Sequence, residues 1–220
     1  MIRHLIFDLD RTVYPADTQM SDDISYRIKR FASEFWGLDF EEGARQRAKA
    51  VKEYGTTLDW LVTAGGFADI EAYFAAIHPE DECVGLYKTP ALRPLLQSLP
   101  QKKIILTNSP YEHADRVLQF LEVRDLFDAI CDIRANNLKG KPAAGAFQKA
   151  LAMCGGTIED TVFLDDAEGY TDGWARLGGT AVLVCPEGKT LNTPDLPGKT
   201  YWIKDIYGLP ALLAKLEQSA

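Results

Sequence analysis

The chain of 220 residues is 46% hydrophobic and 25% charged, with 32 acidic against 24 basic side chains and a net charge of -8. That composition describes a globular protein long enough to bury a core without disulfide staples. It excludes a surface built for nucleic acid polymers or anionic lipid, which need a basic face to displace counterions; an anionic small molecule would need a metal or a locally placed cation.

In chain order, the first apolar run, Leu5-Ile6-Phe7, meets Asp8 and Asp10 too early for the core of a signal peptide. No later run approaches the roughly 18 apolar residues that span a bilayer, so a cytoplasmic location with no membrane partner is expected. Leu5–Phe7 is the first of five short β-rich runs, followed by Ile104–Leu106, Ala129–Cys131, Val162–Leu164 and Ala181–Val184. None alternates with period two, as expected for strands covered on both faces. Amphipathic helices separate most of them, one lined by Val117, Leu118 and Leu121 and another by Phe147, Ala150, Leu151 and Cys154. Ile206, Leu209, Leu212, Leu213 and Leu216 predict a C-terminal helix. Alternation of this kind predicts an α/β fold with a doubly wound, mostly parallel sheet.

Between about residues 16 and 88 the alternation stops, and helical patterns follow without a convincing strand. Ser21 is placed to cap a helix whose apolar face is Ile24, Ile28, Phe31 and Phe35. Further helices are expected over Phe40–Tyr54, Leu58–Ala64 and Asp69–Ile77. The segment reads as an all-helical insertion, residues 16–88, long enough to serve as a lid on a core made of residues 1–15 and 89–220. Residues 186–197 read as a turn-rich surface stretch. Cys83, Cys131, Cys154 and Cys185 are widely spaced, form no C-x-x-C pair, and read as reduced thiols, three of them in apolar stretches.

The polar residues that follow the strands carry the chemistry. Asp8-Leu9-Asp10-Arg11-Thr12 follows the first, Thr107-Asn108-Ser109 the second, and Asp165-Asp166 the fourth, while Lys141-Pro142 precedes a helix. Singly, each is a plausible turn, cap or surface lysine. Together they fall on the carboxyl edge of one parallel sheet, where such folds bind ligands. Two carboxylate pairs facing each other repel unless a hard cation lies between them, and oxygen ligands suit Mg²⁺.

Roles follow from need. A carboxylate beside Mg²⁺ can attack phosphorus and form an aspartyl-phosphate, and the metal offsets the repulsion between Asp8 and an anionic substrate. A second carboxylate two residues on can protonate the leaving alkoxide and then take a proton from water. The transferring phosphoryl group calls for a fixed cation and polar donors, types that Lys141, Thr107 and Asn108 supply.

The segments Phe7–Thr12, Leu106–Ser109, Lys141-Pro142 and Phe163–Asp166, in that order, resemble the four motifs of the haloacid dehalogenase-like hydrolase superfamily. The resemblance covers nearly the whole chain and implies a modified Rossmann-like core with a helical cap inserted after the first motif. It implies Asp8 as nucleophile, Asp10 as general acid/base, and a metal held by Asp8, the backbone carbonyl of Asp10, and Asp165 with help from Asp166. A narrower likeness, in Asp10–Pro15, Tyr54–Leu58 and Lys141-Pro142 with Ala146-Phe147, is to the pyrimidine 5′-nucleotidase branch. It implies a nucleoside monophosphate such as UMP or CMP, with Tyr54, Gly55 and Thr56 facing substrate. The same turn also reads as a helix end at Gly55 followed by a Thr cap, and both readings can hold together.

Two positions depart from that branch: Arg11 and Tyr170 stand where Asn is common. Arg11 could pair with a substrate anion, with Asp17 or with water. Tyr170 and Trp174 read as packing residues, and His113, which follows the second motif and could brush the site, reads rather as a surface or helix-start residue. The expected activity is a Mg²⁺-dependent phosphatase acting on a small phosphorylated metabolite. A sugar phosphate, phosphoglycolate or FMN phosphatase, a phosphomutase, and a catalytically idle phosphometabolite-binding module are the alternatives. A dehalogenase would have no need for Asp10 as an acid. No stretch reads as an interface, which leaves monomer or homodimer open.

Overall fold

The computed structural model describes residues 1–186 and 196–218, so most of the expected turn-rich stretch lies outside the described residues. The chain forms two compact units, residues 1–16 with 87–220, and residues 17–86.

The first unit is built on six parallel strands: β1 (His4–Phe7), β2 (Lys102–Leu106), β3 (Ala129–Cys131), β4 (Thr161–Asp165), β5 (Thr180–Val184) and β6 (Lys199–Ile203). Their order is β3-β2-β1-β4-β5-β6, so the direction of winding reverses beside β1. Five helices belong to this unit: α5 (Leu92–Ser98), α6 (Tyr111–Phe120), α7 (Ala144–Cys154), α8 (Glu168–Arg176) and α9 (Leu209–Gln218). This is the α/β, doubly wound Rossmann-like architecture that strand–helix alternation predicts.

Burial explains the lack of period-two patterning. One set of strand residues, Ile6, Ile104, Leu106, Phe163 and Ala181, packs with Phe147 of α7 and Trp174 of α8 into one core cluster. Phe147 meets Phe163 edge-on at 5.3 Å and Trp174 at 5.5 Å. The alternate residues Leu5, Phe7, Ile105, Val162 and Leu164 are also completely buried, with Phe7 edge-on to Phe127 at 5.7 Å. Trp174 is therefore a packing residue, as its sequence context suggests.

β6 is the strand that sequence reasoning missed. Lys199-Thr200-Tyr201-Trp202-Ile203 is an edge strand whose only fully buried residue is Ile203, so it lacks the apolar run that marks the others. Ile206, expected in the last helix, instead sits in a 3₁₀ turn just before α9. Cys83, Cys131 and Cys154 are buried free thiols and Cys185 is half-buried.

The second unit contains α1 (Gln19–Trp36), α2 (Phe40–Tyr54), α3 (Thr57–Gly65) and α4 (Ile70–Ile77), with no strand among its residues. Local chemistry sets the boundaries. Thr18, Asp39, Thr56 and Asp69 cap the four N-termini by accepting a backbone N–H. The expected cap at Ser21 is corrected here: Thr18 holds the extended backbone a cap requires, and Ser21 N–H donates to it. Phe31 packs edge-on against Phe67 (5.5 Å) and Tyr73 (5.1 Å), while Trp36 stacks on Trp60 (5.3 Å). α2 approaches α1 at Gly43, where a Cβ would come within 2.8 Å of the Ser33 Cα.

Candidate active site

Strand register assembles the site. β1 pairs with β4 so that Phe7 lies beside Leu164, and Asp8 N–H donates to the Leu164 carbonyl at 2.8 Å. Asp8 thus leaves β1 next to Asp165, the last residue of β4. On the other side Phe7 lies beside Ile105, which brings Thr107 to the same edge. The winding reversal beside β1 leaves this edge open for a ligand.

Lys141 sits at the centre. It is buried to 1% exposure, and its Nζ lies 2.5 Å from Asp8 Oδ1 and 2.6 Å from Asp165 Oδ2. Burial alone would push its ammonium down, but Asp165 and Asp8 outweigh that and hold it above its ordinary value. Asp8 is pushed up by burial and by Asp10, against the pull of Lys141. Burial likewise raises Asp165 well above the usual carboxylate range, with Asp8 and Asp166 adding to the effect. Asp166 is raised to about 6, by burial first and then by Asp8.

Asp8, Asp165 and Asp166 each present a carboxylate oxygen, all within 4.8 Å of one another. One ammonium does not balance so dense a group of buried acids, and an all-oxygen donor set fits a hard divalent cation such as Mg²⁺. Asp8 Oδ2 accepts from Thr12 Oγ1 at 3.1 Å, and Asp165 Oδ1 accepts from Ala167 N–H at 2.9 Å, so second partners orient both carboxylates.

Asp10 has its own surroundings. Its Oδ1 accepts from Tyr14 OH at 2.6 Å and lies 2.8 Å from His113 Nε2, while Oδ2 accepts from Ser109 Oγ at 3.0 Å. His113 is completely buried in the first turn of α6, which corrects its reading as a surface residue while its helix-start position holds. Sequence reasoning also missed Thr12, Tyr14 and Ser109 as partners of the aspartates. The structure shows why: Val13 N–H bonds to the Leu9 carbonyl, so the chain closes a five-residue turn here, with Arg11 in the left-handed region. Positions 8 and 12, and 10 and 14, then become i,i+4 neighbours. Arg11, with φ at 64° in this turn, places Nε 3.3 Å from Asp166 Oδ2. Its side chain is more than half exposed.

The remaining expected residues are placed as follows. Thr107 is buried, and its Oγ1 accepts from Ser109 N–H at 3.0 Å. The Asn108 carboxamide meets the Lys141 backbone and the Tyr170 hydroxyl, so both ends of the group expected to hold phosphate are engaged with protein. Tyr54, Gly55 and Thr56 belong to the helical unit. Gly55 closes α2 with φ at 88°, and Thr56 Oγ1 caps α3 by accepting from Asp59 N–H at 3.0 Å. The helix-end reading of that turn therefore describes its local structure.

Comparison with known proteins agrees with this geometry. The family model for haloacid dehalogenase-like hydrolases matches residues 2–169. Phosphate metabolism protein 8 of Saccharomyces cerevisiae is 26% identical over 231 residues, covering 94% of this chain and 71% of that protein. Among solved structures, a HAD phosphatase from Thermococcus onnurineus is similar with a TM-score of 0.66 at 20% identity, covering 96% of this chain and 98% of its own. The L-2-haloacid dehalogenase of Xanthobacter autotrophicus gives 0.62 at 16% identity, covering 97% and 99%. No helix among the described residues is long and apolar enough to cross a membrane. With its motifs on one sheet edge and a family match over most of its length, the chain belongs to the haloacid dehalogenase-like hydrolases.

Proposed function

We propose that the protein is a Mg²⁺-dependent phosphatase that hydrolyses a small phosphate monoester through an aspartyl-phosphate on Asp8. The observation that carries this reading is Asp10, a second carboxylate two residues after the nucleophile, held at the same edge by Tyr14, Ser109 and His113. Displacement of halide from carbon has no step for such a group, whereas phosphoryl transfer from an alcohol does. A solved dehalogenase shares the fold, which leaves the choice of reaction to the site.

Bound at Asp8, the Asp10 carbonyl, Asp165 and Asp166, Mg²⁺ would neutralise charge on the nucleophile and on the phosphoryl oxygens. Asp8 attacks phosphorus, forming a P–O bond as the ester P–O bond breaks. Protonated Asp10 gives its proton to the departing alkoxide. The resulting Asp10 carboxylate takes a proton from water, whose oxygen attacks phosphorus, and the Asp8–phosphorus bond breaks to release inorganic phosphate. Lys141 supplies a fixed positive charge toward the transferring group, and Thr107 a hydroxyl.

The preferred substrate in this reading is a pyrimidine nucleoside 5′-monophosphate. Its support is the likeness of Asp10–Pro15, Tyr54–Leu58 and Lys141-Pro142 to that branch of the family, and the residues assigned to recognition are Arg11, Tyr54, Gly55 and Thr56. The test is phosphate release by purified protein across nucleotides, sugar phosphates, phosphoglycolate and FMN, with and without Mg²⁺. UMP or CMP should lead the ranking, with turnover lost on chelation. A flat or sugar-led ranking would overturn the nucleotide assignment, and metal-independent turnover would overturn the metal.

A further inference from the structure

Asn108 was expected to touch phosphate, yet its carboxamide is used inside the protein. Its Oδ1 accepts from Lys141 N–H at 2.8 Å, and its Nδ2 donates to the Lys141 carbonyl at 3.0 Å. One side chain thus holds both backbone polar groups of one residue, which fixes where that residue starts. The Lys141 N–H and carbonyl set the orientation of the amide, and Nδ2 also donates to the Tyr170 hydroxyl at 3.2 Å. The Tyr170 ring in turn lies 5.2 Å from Lys141 Nζ, with the Phe163 ring at 5.6 Å from the same nitrogen. The backbone makes room for this contact: a Cβ on Gly140 would come within 2.6 Å of the Asn108 carboxamide carbon.

We propose that Asn108 and Tyr170 are positioning residues that act through Lys141, Asn108 by gripping its backbone and Tyr170 by bracing the Asn108 amide from the other side and facing the ammonium. Lys141 hangs from a long stem with several rotatable bonds. Holding its backbone from one side and its head from the other delivers the ammonium between Asp8 and Asp165 with little freedom left to lose on binding. The proposal rests on the phosphatase reading for its kinetic arm but not for its chemical one.

The chemical arm maps acylation of lysines by mass spectrometry after brief treatment with an amine-reactive ester. Lys141 should be protected in the wild type and should become at least about tenfold more reactive in Asn108→Ala. Asn108→Asp is nearly isosteric; it loses the bond to the Lys141 carbonyl, while the Tyr170 hydroxyl can turn to donate to the new carboxylate, so it should move in the same direction. Tyr170→Phe should give a smaller rise. Unchanged protection of Lys141 in Asn108→Asp overturns the proposal, whether or not the protein hydrolyses phosphate esters. The kinetic arm is a double-mutant cycle on an aryl phosphate. Asn108→Ala should lower kcat/KM by roughly ten- to thirtyfold, within the range for a displaced transition-state donor, and should cost less than twofold when added to Lys141→Ala. Full additivity would mean that Asn108 meets phosphate directly and would also overturn the proposal. Absence of turnover in the wild type would instead count against the phosphatase reading alone.

Discussion

At the scale of single residues, two aspartates two residues apart are given different work by their neighbours. Asp8 is buried against Lys141 and Thr12, and Asp10 is half-buried among Tyr14, Ser109 and His113. Asp8→Asn should therefore abolish turnover on every ester, because it removes the attacking oxygen's charge without changing shape. Asp10→Asn should slow nucleotide hydrolysis by about 10²–10⁴-fold and aryl phosphate hydrolysis much less, since a good leaving group needs no proton. Equal loss on both substrates in steady-state assays would contradict the role of Asp10. The candidate nucleophile, acid and metal ligands were legible in the sequence because each follows an apolar strand at the same edge, and Lys141 because Lys141-Pro142 precedes a helix in motif order. The contact of His113 with Asp10 was not legible. His113 lies 103 residues from Asp10, and only the docking of α6 brings it to 2.8 Å.

At the scale of elements, boundaries follow local rules where the capping residue is unambiguous. Asp39 and Asp69 each stand just before a helix and cap it by accepting a backbone N–H. Thr18 was overlooked for Ser21 because both are good caps, and only the backbone angles decide between them. Thr18→Ala should destabilise the helical unit by about 1 kcal/mol, whereas Ser21→Ala should change little, as read by urea unfolding. Asp160 performs a similar task in the sheet. Its carbonyl accepts from Arg3 and His4 N–H, and its carboxylate from Thr157 N–H (2.7 Å), Arg3 Nε (2.7 Å) and Thr161 Oγ1 (3.2 Å). Burial works against the charge, but the bonds from Thr157, Arg3, His4 and Thr161 prevail and hold the carboxyl well below its usual range.

A depressed carboxyl pKa contributes stability that is complete above the ordinary value near 3.8 and fades as pH falls through the lower one. Asp160→Asn should accordingly cost about 1–3 kcal/mol at pH 7, discounted at the solvent-exposed Arg3 end. The difference from wild type should shrink in acid. A difference independent of pH would contradict the assignment of that stability to the carboxylate. β6, unlike these features, could not be read from sequence, because an edge strand with half-exposed Tyr201 and Thr200 carries neither an apolar run nor a clean alternation.

At the scale of the whole molecule, the net charge of -8 contains a local excess that the fold concentrates at one sheet edge. The overall sign argues against polyanions, while the site suits a small anion delivered with a divalent cation. Mg²⁺ should stabilise the protein as well as activate it, by about 2.7 kcal/mol at a hundredfold excess over its Kd. Asp165→Asn should remove most of that gain in a thermal melt; equal Mg²⁺ stabilisation of wild type and variant would contradict the assigned ligands. The doubly wound core and the helical insertion were legible because strand runs, caps and turn residues agree along the chain. Strand order was not legible, since long-range pairing leaves no local pattern.

The most direct test of the account is to trap the enzyme during turnover. Acid-quenched protein, sampled with substrate and Mg²⁺, should carry a phosphoryl group on Asp8, identified by mass spectrometry of its peptide. The label should vanish in Asp8→Asn. Steady hydrolysis with no covalent phosphoprotein, or with the label on another residue, would contradict it.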